Sequence, residues 1–569
     1  MKKGKQAFFI AIVTALFMST GSIPRVFAED VSNDPLRMAG NYICFEEQEN
    51  RVVPVLKQGV ITIEDGQIID ITEDVKTADD VLRLDDSCVI FPGLLDLHSH
   101  VEYGFFQLWQ SEENQVPWDN RFEWRSAAST KRDLLDKFMQ ISKQWENPLE
   151  KTKDALLGDL IEYFAELQAA ASGTTVIQGY NQTEAYDTAD SHEKVRIIRD
   201  TCSAQDLGVE PGKEMTSVLE LYKPDAVLTA DDPATYLPPI DTANWQAIEA
   251  VHNETEKTYL EELLAAIENK KAAGYLIHMA EGRPGATLEE MDPFVDLEFS
   301  QFQDAIETGI SDGRFTPEDV RNAHIGLIHA CGVNLSDEAV YRFIKDCGIA
   351  LIWSPVSNLM LYGDTPTFYD YFADEGILVG IGSDWSPSGS KSVWDECKFA
   401  YAYMQAHAKN PAHAKEELLK ACTYTPARIM GNPRVGNITP GGFADLFILR
   451  GEEPIQGNLD KALDLFIGAD DRAVEGVVVG GKTVYGEMDF LLSYEGEDNL
   501  FSYGTYENEA LSGKYFLLPA VFDGLTFEEA YQIYGDVLEE ADIEMSRLRR
   551  QEDLFYQSFM ATLQEKYCQ

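Results

Sequence analysis

Two histidines that follow an apolar run are the first residues whose type and spacing suggest metal chemistry. His98 and His100 close the segment FPGLLDLHSH at residues 91–100. In an extended strand, residues two apart project from the same face, about 7 Å from each other along the chain. Both imidazoles could therefore converge on one cation. The pair taken alone is equally well explained as two polar residues at a strand end.

Three more metal-competent side chains each follow an apolar, strand-like run. His278 follows GYLI, His329 follows HIGLI, and Asp384 follows LVGIGS. Imidazole and carboxylate groups are usual zinc ligands. Four of the chain's 9 histidines thus stand at the ends of such runs, which favours one shared site over chance placement. His324 lies five residues before His329, on the opposite face of the strand, and is predicted to be structural.

The runs that carry these side chains alternate with longer helical stretches. Eight strands are expected, at residues 94–97, 174–179, 195–198, 226–229, 275–277, 325–328, 350–353 and 378–381. This alternation predicts an α/β fold, a (β/α)8 TIM barrel over residues 91–431. Active sites of such barrels are built at the carboxyl ends of the strands, where the histidines and Asp384 stand.

Segments of different texture flank the predicted barrel. Residues 35–90 and 432–490 contain short strand-like runs separated by turns. Residues 500–569 are predicted to form a helical extension, because Thr526 and Glu529 make a capping box. An apolar seam follows the box at spacings of four and three residues. The seam is expected to pack on the chain's own barrel, with a homodimer as the alternative.

The amino terminus has the pattern of an export signal. Three lysines among the first five residues precede an apolar stretch at 7–18, and a small-x-small motif ends at Ala28. The stretch is too short to span a bilayer comfortably. We therefore expect residues 1–28 to be a signal peptide, cleaved after Ala28, and the mature protein to be secreted and extracellular. The alternative is an uncleaved amino-terminal anchor.

The charge balance bears on partners. The chain of 569 residues has 97 acidic and 46 basic residues, a formal charge of -51. A surface of this kind repels phosphate backbones and anionic headgroups, so we expect no nucleic-acid partner and no membrane partner beyond export. The expected partner is a small-molecule substrate. We interpret the acidity as a solubility or salt-tolerance trait of an extracellular enzyme.

Taken together, the motifs resemble the amidohydrolase superfamily of metal-dependent hydrolases, in the branch of cytosine deaminase-like enzymes, adenosine-derivative deaminases and triazine hydrolases. The matching pieces are PGLLDLHSH, HMAE from His278, HACGVNLSDE from His329, SPVSNLMLYG from Ser354, GSDWSPSGS from Gly382, and TYTPARIMG followed by GNITPGGFADLFIL. They lie between about residues 55 and 485. The resemblance implies that the two β-rich segments join into one small β-sandwich beside the barrel.

The resemblance also implies a single divalent ion, Zn2+ or Fe2+, held by His98, His100, His278 and Asp384. Such an ion lowers the pKa of bound water. Asp384 would accept the water proton, and Glu281, which matches the HxxE of relatives, would carry a proton to the leaving group. His329 would polarise the oxyanion or bind the attacking water. Glu281 could instead be a solvated loop carboxylate.

One ion is preferred over two because a lysine is missing where it would be needed. Binuclear relatives bridge their metals with a carboxylated lysine after the fourth strand. The nearest lysine here is Lys223, which lies before the expected fourth strand at 226–229. The resemblance therefore implies a mononuclear centre.

Two loops are expected to contact the substrate. Residues 101–150 hold four of the 8 tryptophans, and an aromatic loop suits a planar or apolar ligand. Its rings could equally pack the loop onto the barrel; Gln107 and Trp109 are the expected ligand contacts. After Asp384, a Ser/Gly turn could present amide groups and Lys391 to a substrate carboxylate. The same turn could be a plain helix N-cap.

The predicted function is that of an exported metal-dependent hydrolase of carbon–nitrogen bonds other than peptide bonds. Hydrolytic deamination and cyclic amide or amidine hydrolysis both fit. Two departures weaken an adenosine-type assignment: LTADDP at 228–233 replaces a His-Ala-Pro-Tyr-like stretch, and DWSPSGSK at 384–391 replaces an Asn-rich loop. The alternatives are an amidohydrolase-type peptidase or N-acyl amino acid hydrolase, and an inactive barrel that serves as a binding module.

Overall fold

The computed structural model describes the chain from residue 35 onward, with gaps. The described residues are 35–73, 81–100, 103–109, 117–138, 164–178, 197–218, 259–270, 274–285, 291–495, 503–505, 514–517, 527–540, 542–543 and 553–569. The expected signal peptide at 1–28, the expected fourth strand at 226–229, and Lys223 lie outside these residues. Within the described part, no helix combines the length and the apolar character needed to cross a bilayer.

The described strands form three sheets. They are β1 (Leu36–Gln48), β2 (Arg51–Glu64), β3 (Gln67–Thr72), β4 (Leu82–Arg83), β5 (Cys88–Pro92), β6 (Leu94–Asp96), β7 (Thr174–Ile177), β8 (Arg199–Asp200), β9 (Met215–Val218), β10 (Gly274–Met279), β11 (Ile325–His329), β12 (Ala350–Trp353), β13 (Val379–Ile381), β14 (Leu446–Arg450), β15 (Val474–Val479), β16 (Lys482–Glu487), β17 (Tyr503–Thr505) and β18 (Lys514–Leu517).

Helices connect and cover these strands. They are α1 (Arg121–Ser126), α2 (Ala128–Thr130), α3 (Ala204–Leu207), α4 (Tyr259–Glu268), α5 (Pro293–Ser311), α6 (Pro317–Arg321), α7 (Glu338–Cys347), α8 (Pro355–Tyr362), α9 (Val393–His407), α10 (Ala414–Ala421), α11 (Tyr424–Ile429), α12 (Leu459–Gly468), α13 (Met488–Glu495), α14 (Phe527–Glu540) and α15 (Leu554–Tyr567). A π-helical turn continues α2, and short 3-10 turns lie at Phe368–Tyr371, Pro411–His413 and Asp471–Ala473.

The two β-rich flanks meet in one sheet of ten strands, in the order β17-β18-β16-β15-β14-β5-β1-β2-β3, with β4 beside β1. The junction is the antiparallel pairing of β5 with β14, in which Phe91 lies opposite Phe447. Alternate residues of β5 enter different cores: Val89 and Phe91 join the largest core, and Cys88 and Ile90 a smaller one. This sheet is therefore buried on both faces along β5.

Eight short parallel strands form two arcs, β6-β7-β8 and β9-β10-β11-β12-β13. Every residue of β11 and β12 is buried, as expected for parallel strands covered on both faces. At one junction of the arcs, Ser99 and Asp384 form an isolated parallel bridge. At the other, the Met215 N–H donates to the Thr201 carbonyl at 2.9 Å. The first strand thus lies beside the eighth, which gives a TIM-barrel-like α/β order.

The third strand differs from the one expected, and the strand at Met215–Val218 was not expected. The third is at Arg199–Asp200, and Ile197 and Ile198, the described part of the expected 195–198, are not in a strand, because the Glu166 carboxylate accepts their N–H groups at 2.8 and 3.4 Å. Those two N–H groups are thus unavailable to a strand ladder. The strand that pairs with β10 is Met215–Val218. Its central Thr-Ser pair breaks the apolar run that marks the other strands.

The carboxy-terminal extension is only partly helical. It begins with β17 and β18, which extend the ten-stranded sheet beyond β16. The Phe516 ring packs on Tyr485 with centroids 4.7 Å apart, and the Lys514 ammonium pairs with Glu487. The edge of the sheet at β16 is therefore paired with β18, a segment of the extension that carries apolar and aromatic side chains.

The apolar seam of the extension packs within the chain at the residues described. Tyr534 and Leu538 on α14 are buried, and the Tyr534 ring stacks on Phe164 at 4.6 Å. Farther along, the Tyr567 hydroxyl of α15 donates to the Leu359 carbonyl of α8 at 3.1 Å. Both terminal helices thus contact the body of the chain.

Candidate metal centre

The side chains expected to bind metal gather where β6, β10, β11 and β13 end. The His98 ring centroid lies 4.7 Å from that of His278 and 4.9 Å from that of His329. The His100 ring lies 5.2 Å from His278. All of these histidines except His100, which is partly exposed, are buried together with Asp384. Strands far apart in sequence thus bring four imidazoles and a carboxylate into one cluster.

Asp384 lies at the centre of this cluster. Its Oδ1 is 2.7 Å from His98 Nε2 and 3.7 Å from His100 Nε2, and its Oδ2 is 3.8 Å from His329 Nε2. Two overlapping groups have ligand atoms close enough to hold an ion: His98, His278 and His329 in one, and His98, His100 and Asp384 in the other. Because both contain His98, they describe a single centre.

The donor atoms fit a divalent cation of the zinc or iron type. Burial lowers the pKa of the His98 and His278 imidazoles, so both are held in the neutral form that binds metal. The buried Nδ1 of His278 has no hydrogen-bond partner among the described residues. The Nε2 atoms of His98 and His329 are 3.2 Å apart. Nitrogen and carboxylate donors at such separations suit tetrahedral or slightly larger coordination.

The backbone is constrained where the cluster residues stand. His329 has φ 61° and Asp384 φ 65°, in the left-handed region that non-glycine residues rarely adopt. The Asp384 N–H donates to the His98 carbonyl at 2.8 Å. Burial raises the pKa of the Asp384 carboxyl, but the adjacent His98 and His329 outweigh this effect and hold that pKa well below its usual range. Asp384 is therefore an ionised acceptor.

Two amide side chains orient the imidazoles. Gln178 Oε1 lies 3.3 Å from His98 Nδ1, and its Nε2 donates to the Ser217 hydroxyl at 2.6 Å. Asn358 Oδ1 lies 3.0 Å from His329 Nδ1. An amide oxygen accepts, so each histidine donates from Nδ1, and His98 thereby keeps its Nε2 lone pair for a cation. Gln178 was not among the residues predicted from the sequence, although a polar residue just after β7 was an available signal.

Asp96 is a second residue of the site that was not predicted from the sequence. Its buried carboxylate accepts hydrogen bonds from the His98 N–H at 3.2 Å and the Ser383 N–H at 3.1 Å. Burial raises its pKa to about 7, against the opposing effect of the Ser383 hydrogen bonds. Asp96 thus fixes the strand ends that carry two of the expected ligands.

Glu281 lies on the His329 side of the cluster. Its Oε2 is 3.8 Å from His329 Nε2, and its Oε1 accepts the Tyr362 hydroxyl at 2.6 Å. The side chain is buried, with only 8% of its surface exposed, and is therefore not a solvated loop carboxylate. His329 Nε2 is thus 3.8 Å from a carboxylate oxygen of both Asp384 and Glu281, so three groups able to move or hold protons lie side by side.

The three residues expected to contact the substrate, Gln107, Trp109 and Lys391, differ in their burial and in their hydrogen-bond partners. Gln107 is half-buried. The Trp109 N–H donates to the Pro387 carbonyl at 2.7 Å, and its indole N–H donates to Asp133 at 3.3 Å. The buried Lys391 ammonium donates to the Phe106 carbonyl, and burial lowers its pKa to about 7. Lys391 therefore joins two loops of the protein itself.

The turn after Asp384 ends as a plain helix cap. The Ser392 side chain accepts the Asp395 N–H at the start of α9. The Lys391 N–H donates to the Tyr556 hydroxyl of α15 at 3.1 Å. This arrangement corresponds to the N-cap alternative, and it gives Lys391 partners other than a substrate carboxylate.

Aromatic rings of the loop after β6 pack mainly on one another. Tyr103 stacks on Phe138 at 4.3 Å, and Trp124 stacks on Trp385 at 5.0 Å. Tyr103 also approaches the His100 ring, with centroids 6.5 Å apart. These rings therefore hold the loop against the cluster, and Tyr103 reaches one of its histidines.

The comparisons agree with this geometry. The family model described as the amidohydrolase family matches residues 89–484. A 5-methylthioadenosine/S-adenosylhomocysteine deaminase of Pyrococcus furiosus is 22% identical over 439 residues, 76% of this chain and 91% of that protein. A 5'-deoxyadenosine deaminase of Methanosarcina acetivorans is 22% identical over 440 residues, 75% of this chain and 88% of that protein.

A guanine deaminase of Bradyrhizobium japonicum is among the similar solved structures, with a TM-score of 0.49, 15% identity, and coverage of 80% of this chain and 100% of that one. The family match spans most of the chain, including every residue of the metal cluster. The resemblance stated from the motifs is thereby confirmed. The chain belongs to the amidohydrolase family and is a hydrolase of carbon–nitrogen bonds other than peptide bonds.

Proposed function

We propose that this chain is a mononuclear metal-dependent deaminase, which releases ammonia from an amino group on an sp2 carbon of a small heterocyclic substrate. The observation that carries the proposal is that Asp384 and Glu281 each lie 3.8 Å from His329 Nε2 in the cluster. The names of the curated relatives, which are deaminases of adenosine derivatives, support the same reaction. Hydrolysis of a cyclic amide or amidine is the alternative reaction at this site.

We propose a single resident ion, Zn2+ or Fe2+. Its ligands are His98, His100, His278 and Asp384. The two candidate ligand groups share His98, which supports one ion and not two. When bound, the ion supplies Lewis acidity that makes water a competent nucleophile near neutral pH.

The reaction then depends on three side chains. Asp384, held ionised, accepts a proton from the attacking water. His329, protonated on both ring nitrogens, donates from Nε2 to the oxygen that becomes the new carbonyl oxygen, while its Nδ1–H remains on Asn358. Glu281, protonated in the reacting state, delivers its proton to the departing nitrogen as the carbon–nitrogen bond breaks, and the hydroxyl proton of the adduct restores it. The proton taken by Asp384 passes to the ring nitrogen, so water and the amine become a carbonyl group and ammonia.

The remaining features of the architecture are part of the proposal. The bridge between Ser99 and Asp384 supports a closed (β/α)8 barrel. The pairing of β5 with β14 supports one small β-domain built from both flanks. We also propose that the mature protein is extracellular and begins after Ala28, and that a homodimer is the alternative to a monomer.

The first experiment measures bound metal and ammonia release. Purified protein loaded with Zn2+ or Fe2+ is incubated with 5'-deoxyadenosine, 5-methylthioadenosine, S-adenosylhomocysteine and guanine, and metal is measured by mass spectrometry. About one ion per chain and ammonia from at least one amine are expected. The absence of stoichiometric metal would leave the binding-module alternative. Amino acids released from dipeptides or N-acyl amino acids, without ammonia from any amine, would favour the peptidase alternative.

A matched pair of histidine variants tests the ligand assignment. His278→Ala should lose the metal and the activity together, because its imidazole lies within the cluster. His324→Asn is the control, since His324 has φ 47°, a conformation that Asn tolerates, and stands at the opposite end of β11. Retention of stoichiometric metal by His278→Ala would contradict the assignment.

A further inference from the structure

Tyr362 contacts the proposed proton carrier from a distant part of the chain. It is the last residue of α8, which follows β12, and it is almost fully buried. Its hydroxyl donates to Glu281 Oε1 at 2.6 Å. A short hydrogen bond from a neutral donor to a carboxylate is among the stronger ones in proteins. Glu281 therefore has a fixed partner on one of its two oxygens.

Trp124 fixes the direction of this hydrogen bond. Its indole N–H lies 3.0 Å from the Tyr362 hydroxyl oxygen. An indole nitrogen can only donate, so the Tyr362 oxygen accepts from Trp124 and its single proton points to Glu281. Burial, and then the charge of Glu281, raise the pKa of the Tyr362 hydroxyl well above its usual value. The phenol therefore remains a donor.

The backbone beneath Glu281 is held equally firmly. The Ala280 N–H donates to the buried Glu298 carboxylate at 2.6 Å, and Ala280 has φ 51°. The Arg121 N–H donates to the Glu281 carbonyl at 3.2 Å. The loop after β6 thus contacts Glu281 twice, through the backbone of Arg121 and, by way of Tyr362, through the side chain of Trp124.

We propose that Tyr362 is the positioning residue of Glu281: it occupies Oε1, so that the proton delivered to the leaving group is carried on Oε2, the oxygen that faces His329 at 3.8 Å. Trp124 supports this role by preventing the Tyr362 hydroxyl from turning away. The inference rests on the proposed role of Glu281 in proton delivery. It assigns the loop after β6 a part in catalysis besides covering the cluster.

Among the residues that the structure describes, the other groups that face Glu281 do not compete for Oε1. His329 lies near Oε2. Cys331, on the loop after β11, is a buried thiol whose pKa burial raises, so it stays uncharged. Arg121 is paired with Glu298 at 3.3 Å. Tyr362 is therefore the side chain that sets the carboxylate orientation.

The first test is structural and does not require a substrate. Crystal structures of the zinc-loaded wild type and of Tyr362→Phe should show the Glu281 carboxylate in one orientation in the wild type and displaced, or in several orientations, in the variant. Tyr341→Phe is the matched control. Tyr341 lies on α7, outside the cluster, and its hydroxyl also donates to a carboxylate, that of Asp374, at 2.5 Å. An unchanged Glu281 carboxylate in Tyr362→Phe would overturn the proposal.

The second test is kinetic and uses an amine that releases ammonia in the assay above, together with its chloro analogue. Loss of a hydrogen bond to a charged group should lower kcat for the amine about 10- to 100-fold in Tyr362→Phe, with KM changed less than about threefold. The chloro analogue should lose less than about threefold, because departing chloride needs no proton. Trp124→Phe should lie between Tyr362→Phe and wild type.

These outcomes separate the two proposals. Equal losses for the amine and the chloro analogue, or equal effects of Tyr362→Phe and Tyr341→Phe, would show that Tyr362 is merely structural. If no amine is deaminated, the proposed function fails, while the crystal structures still decide whether Tyr362 positions Glu281. Equal zinc content in all variants, measured by mass spectrometry, ensures that lost activity is not lost metal.

Discussion

The Asp96 carboxylate accepts both the hydroxyl and the backbone N–H of Ser383, at 2.5 and 3.1 Å, and so joins the end of the first parallel strand to the region just after the eighth. The same carboxylate accepts the His98 N–H. Ser383 precedes Asp384 in the chain. One buried side chain therefore sets the spacing between two proposed metal ligands.

We predict that Asp96→Asn weakens metal binding while the protein still folds. The amide keeps the shape of the carboxylate, but its NH2 group can only donate to the Ser383 hydroxyl, so the hydrogen bond from that hydroxyl to the carboxylate is lost. Loss of such an outer partner typically lowers metal affinity about 10- to 100-fold. Competition with a chelator measures the affinity. Asp70→Asn, at an exposed site on β3, is the control, and equal affinities of the two variants would contradict the prediction.

Two glycines of the same segment test how closely β6 and β13 must approach. A Cβ at Gly382 would lie 2.4 Å from His98 Cβ, whereas one at Gly380 would meet the flexible ends of Ile352 and Ile429 at 3.3 Å. Gly382→Ala should therefore cost about 1–3 kcal/mol in unfolding free energy and reduce the bound metal. Gly380→Ala should cost less and keep its metal. Urea denaturation and mass spectrometry give both quantities, and equal costs would argue against a requirement for close approach.

Glu281→Gln should separate proton delivery from metal binding. The amide oxygen can still accept the Tyr362 hydroxyl, but the amide cannot carry a proton to the leaving group. We expect kcat for ammonia release to fall about 100- to 10,000-fold, with one metal ion retained. Steady-state kinetics and metal analysis check this outcome. Near-wild-type kcat in this variant would remove Glu281 from the reaction.

The cluster could be predicted because its residues follow recognisable apolar strands. His278, His329 and Asp384 each stand at or just after a strand end. To predict that they converge, it was therefore enough to know the order of the strands. Asp96 belongs to the same motif as His98, but an acidic residue inside a buried strand gives no signal of its partner. Tyr362 meets Glu281 from 81 residues away, a contact that local patterns do not contain.

The third strand and the role of Lys391 were predicted less well. In both cases a side chain forms a hydrogen bond with a backbone group that is distant in sequence. The third strand begins later than expected because Glu166 takes two N–H groups from the preceding residues. Lys391 sits in a polar turn, which suggested contact with a ligand. Its ammonium instead meets the Phe106 carbonyl, and this depends on how two loops and α15 pack.

The buried Lys391 predicts a pH dependence of stability. Burial lowers its pKa to about 7 in the folded chain, whereas an unfolded lysine titrates near 10.4. Between these values the unfolded state binds more protons, so the unfolding free energy rises with pH, by at most about 1.4 kcal/mol per unit. Methionine has no such titration. The stability of Lys391→Met relative to wild type should therefore fall by about 2–3 kcal/mol from pH 7 to pH 9.

A second lysine provides the control for this prediction. Hydrogen bonds to Tyr341 and Asp374 raise the pKa of Lys345, so its folded and unfolded forms are both protonated from pH 7 to pH 9. The difference in unfolding free energy between Lys345→Met and wild type should therefore be the same at every pH from 7 to 9. Urea denaturation of the wild type and both variants at pH 7, 8 and 9 makes the comparison. A pH-independent difference for Lys391→Met would mean that the Lys391 ammonium keeps its proton in the folded chain, stabilised by the Phe106 carbonyl and by the Coulombic effect of Asp553.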